Sequence, residues 1–94
     1  MDINIVVDLA LVSGRAPLRA LADVAVRVLT LQLTIRRCAI FQKSSGPAWA
    51  SLPRLSVEKN GTRQLVSLID LPRELRERVL DAVLAAYRRK LDAP

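Results

Sequence analysis

Histidine is absent from this chain, cysteine occurs once, at Cys38, and glycine only three times in 94 residues. Without histidine there is no Ser–His or Cys–His nucleophile and no His-based metal site. A lone Cys38 can form neither an intrachain disulfide nor a thiolate zinc site, and it gives no sign of an oxidising compartment. Gly14, Gly46 and Gly61 are too scattered to build a phosphate-cradling loop. A paired-carboxylate site needs two acidic groups converging in a cleft, and Asp8, Asp23, Glu58 and Asp70 fall on different expected elements. Glu77 and Asp81 read as solvated helix positions. The chain is therefore not expected to be an enzyme, and neither a metal nor another cofactor is expected.

Aromatic residues are equally scarce, at 3 % against 51 % hydrophobic residues overall, so the interior must be built from Leu, Val, Ala and Ile. Long apolar runs are missing too. The richest stretch, Val24 to Ile35, is interrupted by Arg27, Thr30, Gln32 and Thr34, well short of the ~20 apolar residues of a membrane helix. No basic leader with a cleavage site opens the sequence, so the expected compartment is the cytoplasm, with no membrane partner. The length suits one domain over residues 1–94.

What is present is alternation. Ile3, Ile5, Val7, Leu9 and Leu11 recur with a period of two, which predicts a half-buried strand over about 3–12. Ser13-Gly14-Arg15-Ala16-Pro17 supplies a turn. A second strand over 18–28 places Ala20, Ala22, Val24, Val26 and Val28 on one face, small enough for another layer to approach closely. A third, over 29–41, directs Leu31, Leu33 and Ile35 inward and pairs with the second as a hairpin. Strict alternation would next bury Arg37, a costly unpaired charge. A β-bulge is therefore expected near Arg36-Arg37, leaving both guanidinium groups outside and returning Cys38 and Ile40 to the core.

Ser44-Ser45-Gly46-Pro47 turns the chain into a short strand over 48–52, which Pro53 ends or confines to an edge. Arg54 to Arg63 reads as a polar stretch containing Asn60-Gly61, a favoured type I′ hairpin pair, and a last strand follows over 64–69. A helix is predicted over 72–90, with Asp70 or Leu71 as its cap. Its apolar positions Leu75, Val79, Leu80, Val83, Leu84, Ala86, Tyr87 and Leu91 cover an arc of roughly 160°, wide enough to touch two surfaces. Glu74 and Arg78 are spaced as an i,i+4 pair. The fold class is thus α+β: a small antiparallel sheet of meander and hairpins with a C-terminal amphipathic helix, expected to be dimeric.

Fifteen Lys and Arg against nine Asp and Glu give a net charge of +6, spread along the chain rather than held in a tail. Such a balance suits an anionic partner, most often nucleic acid, or simply a soluble surface. Phosphate contact needs Lys and Arg gathered on one surface. The candidates are Arg36, Arg37, Lys43, Arg54, Lys59 and Arg63, because the third strand, its turn and the following loop can share one edge of the sheet. Arg88, Arg89 and Lys90 form a second group, which could equally serve only to stabilise the helix dipole. Trp49 reads as core or interface in preference to a base-stacking platform, since stacking binders usually offer several aromatics. Leu80, Leu84 and Tyr87 join it as core or dimer residues.

The order of residues resembles that of a bacterial family, the SpoVG (stage V sporulation protein G, or septation-protein) family. Arg19-Ala20-Leu21-Ala22-Asp23-Val24 carries the likeness at the second strand, and Leu33-Thr34-Ile35-Arg36 with Gly46-Pro47-Ala48-Trp49-Ala50-Ser51-Leu52-Pro53 carries it in the middle. Asp81-Ala82-Val83-Leu84-Ala85-Ala86-Tyr87-Arg88 completes it in the helix, so the likeness spans most of residues 3–90. The family usually has a short basic run after the proline that Pro53 matches; here Arg54 alone keeps that charge, with Leu55 next. The resemblance implies a small homodimer that binds DNA or RNA as a regulator linked to septation and sporulation. The alternative function is an assembly adaptor in division or regulation, with a protein partner and no nucleic acid.

Overall fold

The computed structural model describes residues 3–14, 17–43 and 46–93. Its architecture is α+β: a four-stranded antiparallel meander, a separate two-stranded hairpin and one C-terminal helix. The strands are β1 (Ile3–Leu11), β2 (Leu18–Val28), β3 (Leu31–Phe41), β4 (Trp49–Ser51), β5 (Arg54–Lys59) and β6 (Thr62–Ser67), followed by α1 (Arg73–Asp92). The meander runs in the order β1-β2-β3-β4. Of the turns expected from sequence, Arg15-Ala16 and Ser44-Ser45 lie outside the described residues.

Alternation phases β1 and β2 as expected, with Leu9, Ala20, Ala22, Val24 and Val26 buried on one face. The small Ala20 and Ala22 share that core with Val79, Val83 and Tyr87 of α1, so helix and sheet approach closely. The bulge also lies where charge burial required it. Ala22 faces Cys38 and Val24 faces Ile35, so Asp23 alone stands opposite Arg36 and Arg37. Arg37 takes a left-handed φ of 64°, while Cys38, Ile35 and Ile40 are buried. The carboxylate of Asp23 holds this conformation: Oδ1 accepts the backbone N–H of Arg37 at 3.2 Å and Oδ2 accepts Nη1 of Arg36 at 3.3 Å. A second register shift, between Leu18 and Ala20, leaves Arg19 without a partner on β3 and pairs Leu18 with Phe41. Arg19 instead donates from Nε to the Gln42 carbonyl at 3.4 Å.

Several sequence expectations are corrected. Leu31 and Leu33 stand opposite Val28 and Val26, on the helix side, yet Leu31 is 74 % exposed, because nothing covers that end of the β2–β3 hairpin. Leu29, expected within β3, forms the turn with Thr30; it has a φ of 58° and is 92 % exposed. Leu11, opposite the buried Ala20 at the end of β1, and Leu91, at the end of α1, are on the helix side yet exposed, at the margin of the core near Tyr87.

The polar stretch after Pro53 is itself a strand, β5, pairing with β6 through Asn60-Gly61. Those two residues have φ of 53° and 76°, the signs a type I′ turn requires. β5 alternates only briefly, with Leu55 and Val57 between Arg54, Ser56 and Glu58, so its polar residues outweigh the period-two signal. The last strand accordingly starts at Thr62 and ends at Ser67.

The helix is capped by Pro72 without a side-chain hydrogen bond, while Leu71 is buried in the core. Among the described residues the helical ion pair is Arg73–Glu77 at 3.1 Å, not Glu74–Arg78. Ala93 is extended, as suits a residue before proline. The wide apolar arc meets the sheet alone: Val79, Val83 and Tyr87 are buried, and Leu75, Leu80 and Leu84 remain half-buried at its flanks. No helix is long and apolar enough to cross a membrane among the described residues.

A non-glycine residue in the left-handed region costs roughly 1 to 2 kcal/mol, more for a β-branched side chain. Arg37→Val should therefore lower stability in urea denaturation by at least about 1 kcal/mol, whereas Arg37→Gly should leave it within about 1 kcal/mol. Equal losses in the two variants would contradict the role of the bulge.

Candidate nucleic-acid interface

Sheet register fixes what the face away from the helix presents. Ala39 pairs with Ser51 and Phe41 with Trp49, and both pairs lie on that outer face. Phe41 and Trp49 stack with ring centroids 5.8 Å apart and an interplanar angle of 26°. Trp49 is 42 % exposed, so it is a surface aromatic and not part of the helix-side core. Tyr87 is the reverse: it is buried, and its hydroxyl donates to Oε1 of Gln42 at 3.4 Å.

Two concavities adjoin this aromatic pair. A groove of about 400 Å³ runs between the outer face and the base of the β5–β6 hairpin, lined by Leu18, Leu21, Phe41, Leu65 and Leu68 with Arg37 and Arg54 at its rim. A shallower recess is lined by Trp49, Ser51, Leu52, Ser67, Arg54, Arg76 and Leu80. Arg54 belongs to both, so Arg37, Arg54 and Arg76 form one strip around the aromatic stack. Among the described residues no acidic side chain lines either concavity. Ion pairs among the described residues involve Arg36 and Arg73 and leave all three strip arginines out.

The nine basic candidates from sequence are not gathered on one surface. Arg37 and Arg54 reach the strip. Arg36, engaged by Asp23, lines a neighbouring depression together with Asp8, which stands directly opposite Asp23 in the β1–β2 register, and Arg37 lies on the boundary, lining both this depression and the groove. That acidic pair makes the depression a poor phosphate seat. Lys43 lies between β3 and β4, its carbonyl accepting the Gly46 N–H at 2.7 Å. Lys59 and Arg63 flank the turn of the β5–β6 hairpin, and Arg88, Arg89 and Lys90 occupy the C-terminal part of α1.

Arg76 was not singled out by sequence. Its spacing of four from Leu80 places the two on one flank of the helix, which was the available signal. Leu80 itself lines the recess, whereas Leu84 is half-buried beside the core.

Among the described residues no group of three or more His, Cys, Asp or Glu side chains is placed to hold a metal ion. Cys38 lies in the core, where burial, with the negative charge of Asp23 adding to it, pushes its thiol from 9.0 up to about 11. The folded state thus favours the protonated thiol. That contribution to stability is fully present below pH 9 and is lost as pH rises through about 11. A thiol reagent at pH 8 should label Cys38 slowly in the native protein and rapidly after denaturation; equal rates would contradict a buried, protonated thiol.

No family model matches the chain, and neither a curated protein nor a solved structure matches it, so its function has to be inferred from its own residues.

Proposed function

We propose that the chain is a homodimeric nucleic-acid-binding regulator of the SpoVG type, acting in the cytoplasm without a cofactor and without catalysis. The observation that carries this reading is the strip of Arg37, Arg54 and Arg76 beside the Phe41–Trp49 stack, whose Trp49 is exposed, in two adjoining concavities that no acidic side chain lines among the described residues. Unpaired guanidinium groups at such a surface are suited to phosphate oxygens, and a ring face beside them accepts an unstacked base. The net charge of +6 draws polyanions to the surface as a whole. The ordered likeness to the septation-protein family supports the same assignment. Two copies would double a contact that is weak in one chain.

Arg54, in the middle of the strip, is the centre of the proposed contact. Lys59 and Arg63 at the hairpin turn and Arg88, Arg89 and Lys90 on the helix contribute at longer range, through the general field.

A protein partner in division or regulation is the second reading. It is favoured by the bare apolar tip of the β2–β3 hairpin, where Leu29 and Leu31 are exposed beyond the reach of the helix. Tyr87 cannot probe that reading, because its burial makes substitution a test of folding; Leu31→Ser is the suitable variant.

Fluorescence anisotropy with single-stranded and duplex oligonucleotides tests the proposal. Three phosphate contacts per chain, six per dimer, predict log K falling with log salt at a slope of about −5 on duplex and about −4 on single strands. Replacing Arg37, Arg54 and Arg76 together by Ala should remove most of that slope, with helix content by circular dichroism unchanged. Undetectable binding at low salt, or binding that salt does not weaken, would sink the nucleic-acid reading. Loss of a protein partner in Leu31→Ser but not in the triple-arginine variant would favour the adaptor.

A further inference from the structure

The β5–β6 hairpin contacts no other strand and does not pack on the helix. It is anchored at its base, where the Leu68 N–H donates to the Pro53 carbonyl at 3.1 Å. Beyond that it projects as an arm of two six-residue strands, roughly 20 Å long at ~3.4 Å per residue. A two-stranded hairpin alone in water is at best marginally stable, and this one borders the apolar residues of its own sheet only across an open groove. It nevertheless carries large apolar side chains: Leu55, Leu65 and Val66 on its strands and Leu68 at its base are all exposed, Leu65 to 65 %. By register Leu55 and Val66 share one face of the hairpin and Leu65 lies on the other, so both faces present large aliphatic groups, and exposed apolar surface on this scale is a feature of interaction sites.

The dimensions of the whole chain agree. Its accessible surface is 7123 Å², against about 5,400 Å² expected for a compact monomer of this mass. Its radius of gyration is 14.5 Å, against about 12 Å for a compact domain of this length. The excess is of the order of 1,700 Å² per chain, or about 3,400 Å² for two copies, within the range of obligate homodimers. The molecule is flat, 44 × 40 × 18 Å, so the excess lies on broad faces.

An apolar concavity beside the arm is the groove between it and the outer face of the sheet, floored by Leu18, Leu21 and Phe41. Leu65 and Leu68 of the arm share that groove, which remains open. A two-fold arrangement in which each arm enters the other chain's groove brings apolar arm against apolar floor at both ends, as isologous contacts require.

We infer that the β5–β6 hairpin is a dimerisation arm, and that its apolar side chains are seated in the outer-face groove of a second copy of this chain. The inference rests on the dimeric part of the proposed function and specifies its geometry. It also carries Lys59 and Arg63, at the turn of the arm, onto the second copy. The long edge of β1 offers a competing contact by strand addition.

Two measurements on the full chain separate these cases. In sedimentation the unaltered protein should run at twice its 10.4 kDa chain mass, and Leu65→Asp with Leu68→Asp should run at that single-chain mass with its helix content retained. For geometry, two single-thiol copies are mixed under mild oxidation, both with Cys38→Ala, one carrying Leu65→Cys and the other Leu21→Cys. A disulfide-linked pair of the two different copies is the expected product, because arm and groove floor then come from different chains. A dimer that never yields this mixed pair, or that survives both Asp substitutions, overturns the arm while leaving the dimeric reading intact. A single-chain mass for the unaltered protein overturns both. Failure of nucleic-acid binding alone overturns only the polyanion reading.

Discussion

One helix can cover one face of a sheet, and this chain has one helix of 20 residues against a meander of four strands. Val79, Val83 and Tyr87 close the inner face over Ala20, Ala22 and Val24, and everything in the core gathers there. The outer face, the distal tip of the β2–β3 hairpin and the whole β5–β6 hairpin are left with no layer above them. The surface available for function follows from that shortage of covering elements. So does the area by which the chain exceeds a compact monomer.

Within that constraint the bulge at Arg36-Arg37 decides which residues meet which side. One extra residue on β3 reverses the alternation, so Cys38 and Ile40 turn inward while Ala39 and Phe41 turn outward toward Leu21 and Leu18. Asp23 holds the kinked backbone through the Arg37 N–H, and the Arg36 guanidinium completes the contact. An ion pair as exposed as Asp23–Arg36 adds little stability by itself, on the order of 0 to 1 kcal/mol. Its larger consequence is geometric: the groove floor, the aromatic stack and the Arg37 position all depend on the phase that the bulge sets.

The arginine strip and the apolar arm lie side by side and share Arg54, which begins β5 at the rim of the groove. In the proposed assembly, charge and apolar contact therefore divide one region between them. Polyanion contact falls to the strip around Trp49, and self-association falls to the groove beneath it.

The sequence by itself determined the strands that have one wet and one dry face, since alternation in β1 and β2 is the direct imprint of half-burial. It determined the bulge, because a buried unpaired guanidinium is too costly, and the Asn60-Gly61 turn, because few other pairs tolerate two positive φ angles. It determined the helix and the buried thiol of Cys38 on the same grounds of period and phase. Tertiary structure alone decided where the helix stops covering the sheet, which leaves Leu31 in solvent although its register points inward. It alone revealed β5, where Leu55 and Val57 give too short an alternation to stand out from the polar residues around them. It alone brought Arg76 from the helix to Arg54 and Trp49, and dispersed the other basic candidates. Local pattern records which side of an element is dry; only packing at long range fixes which elements meet.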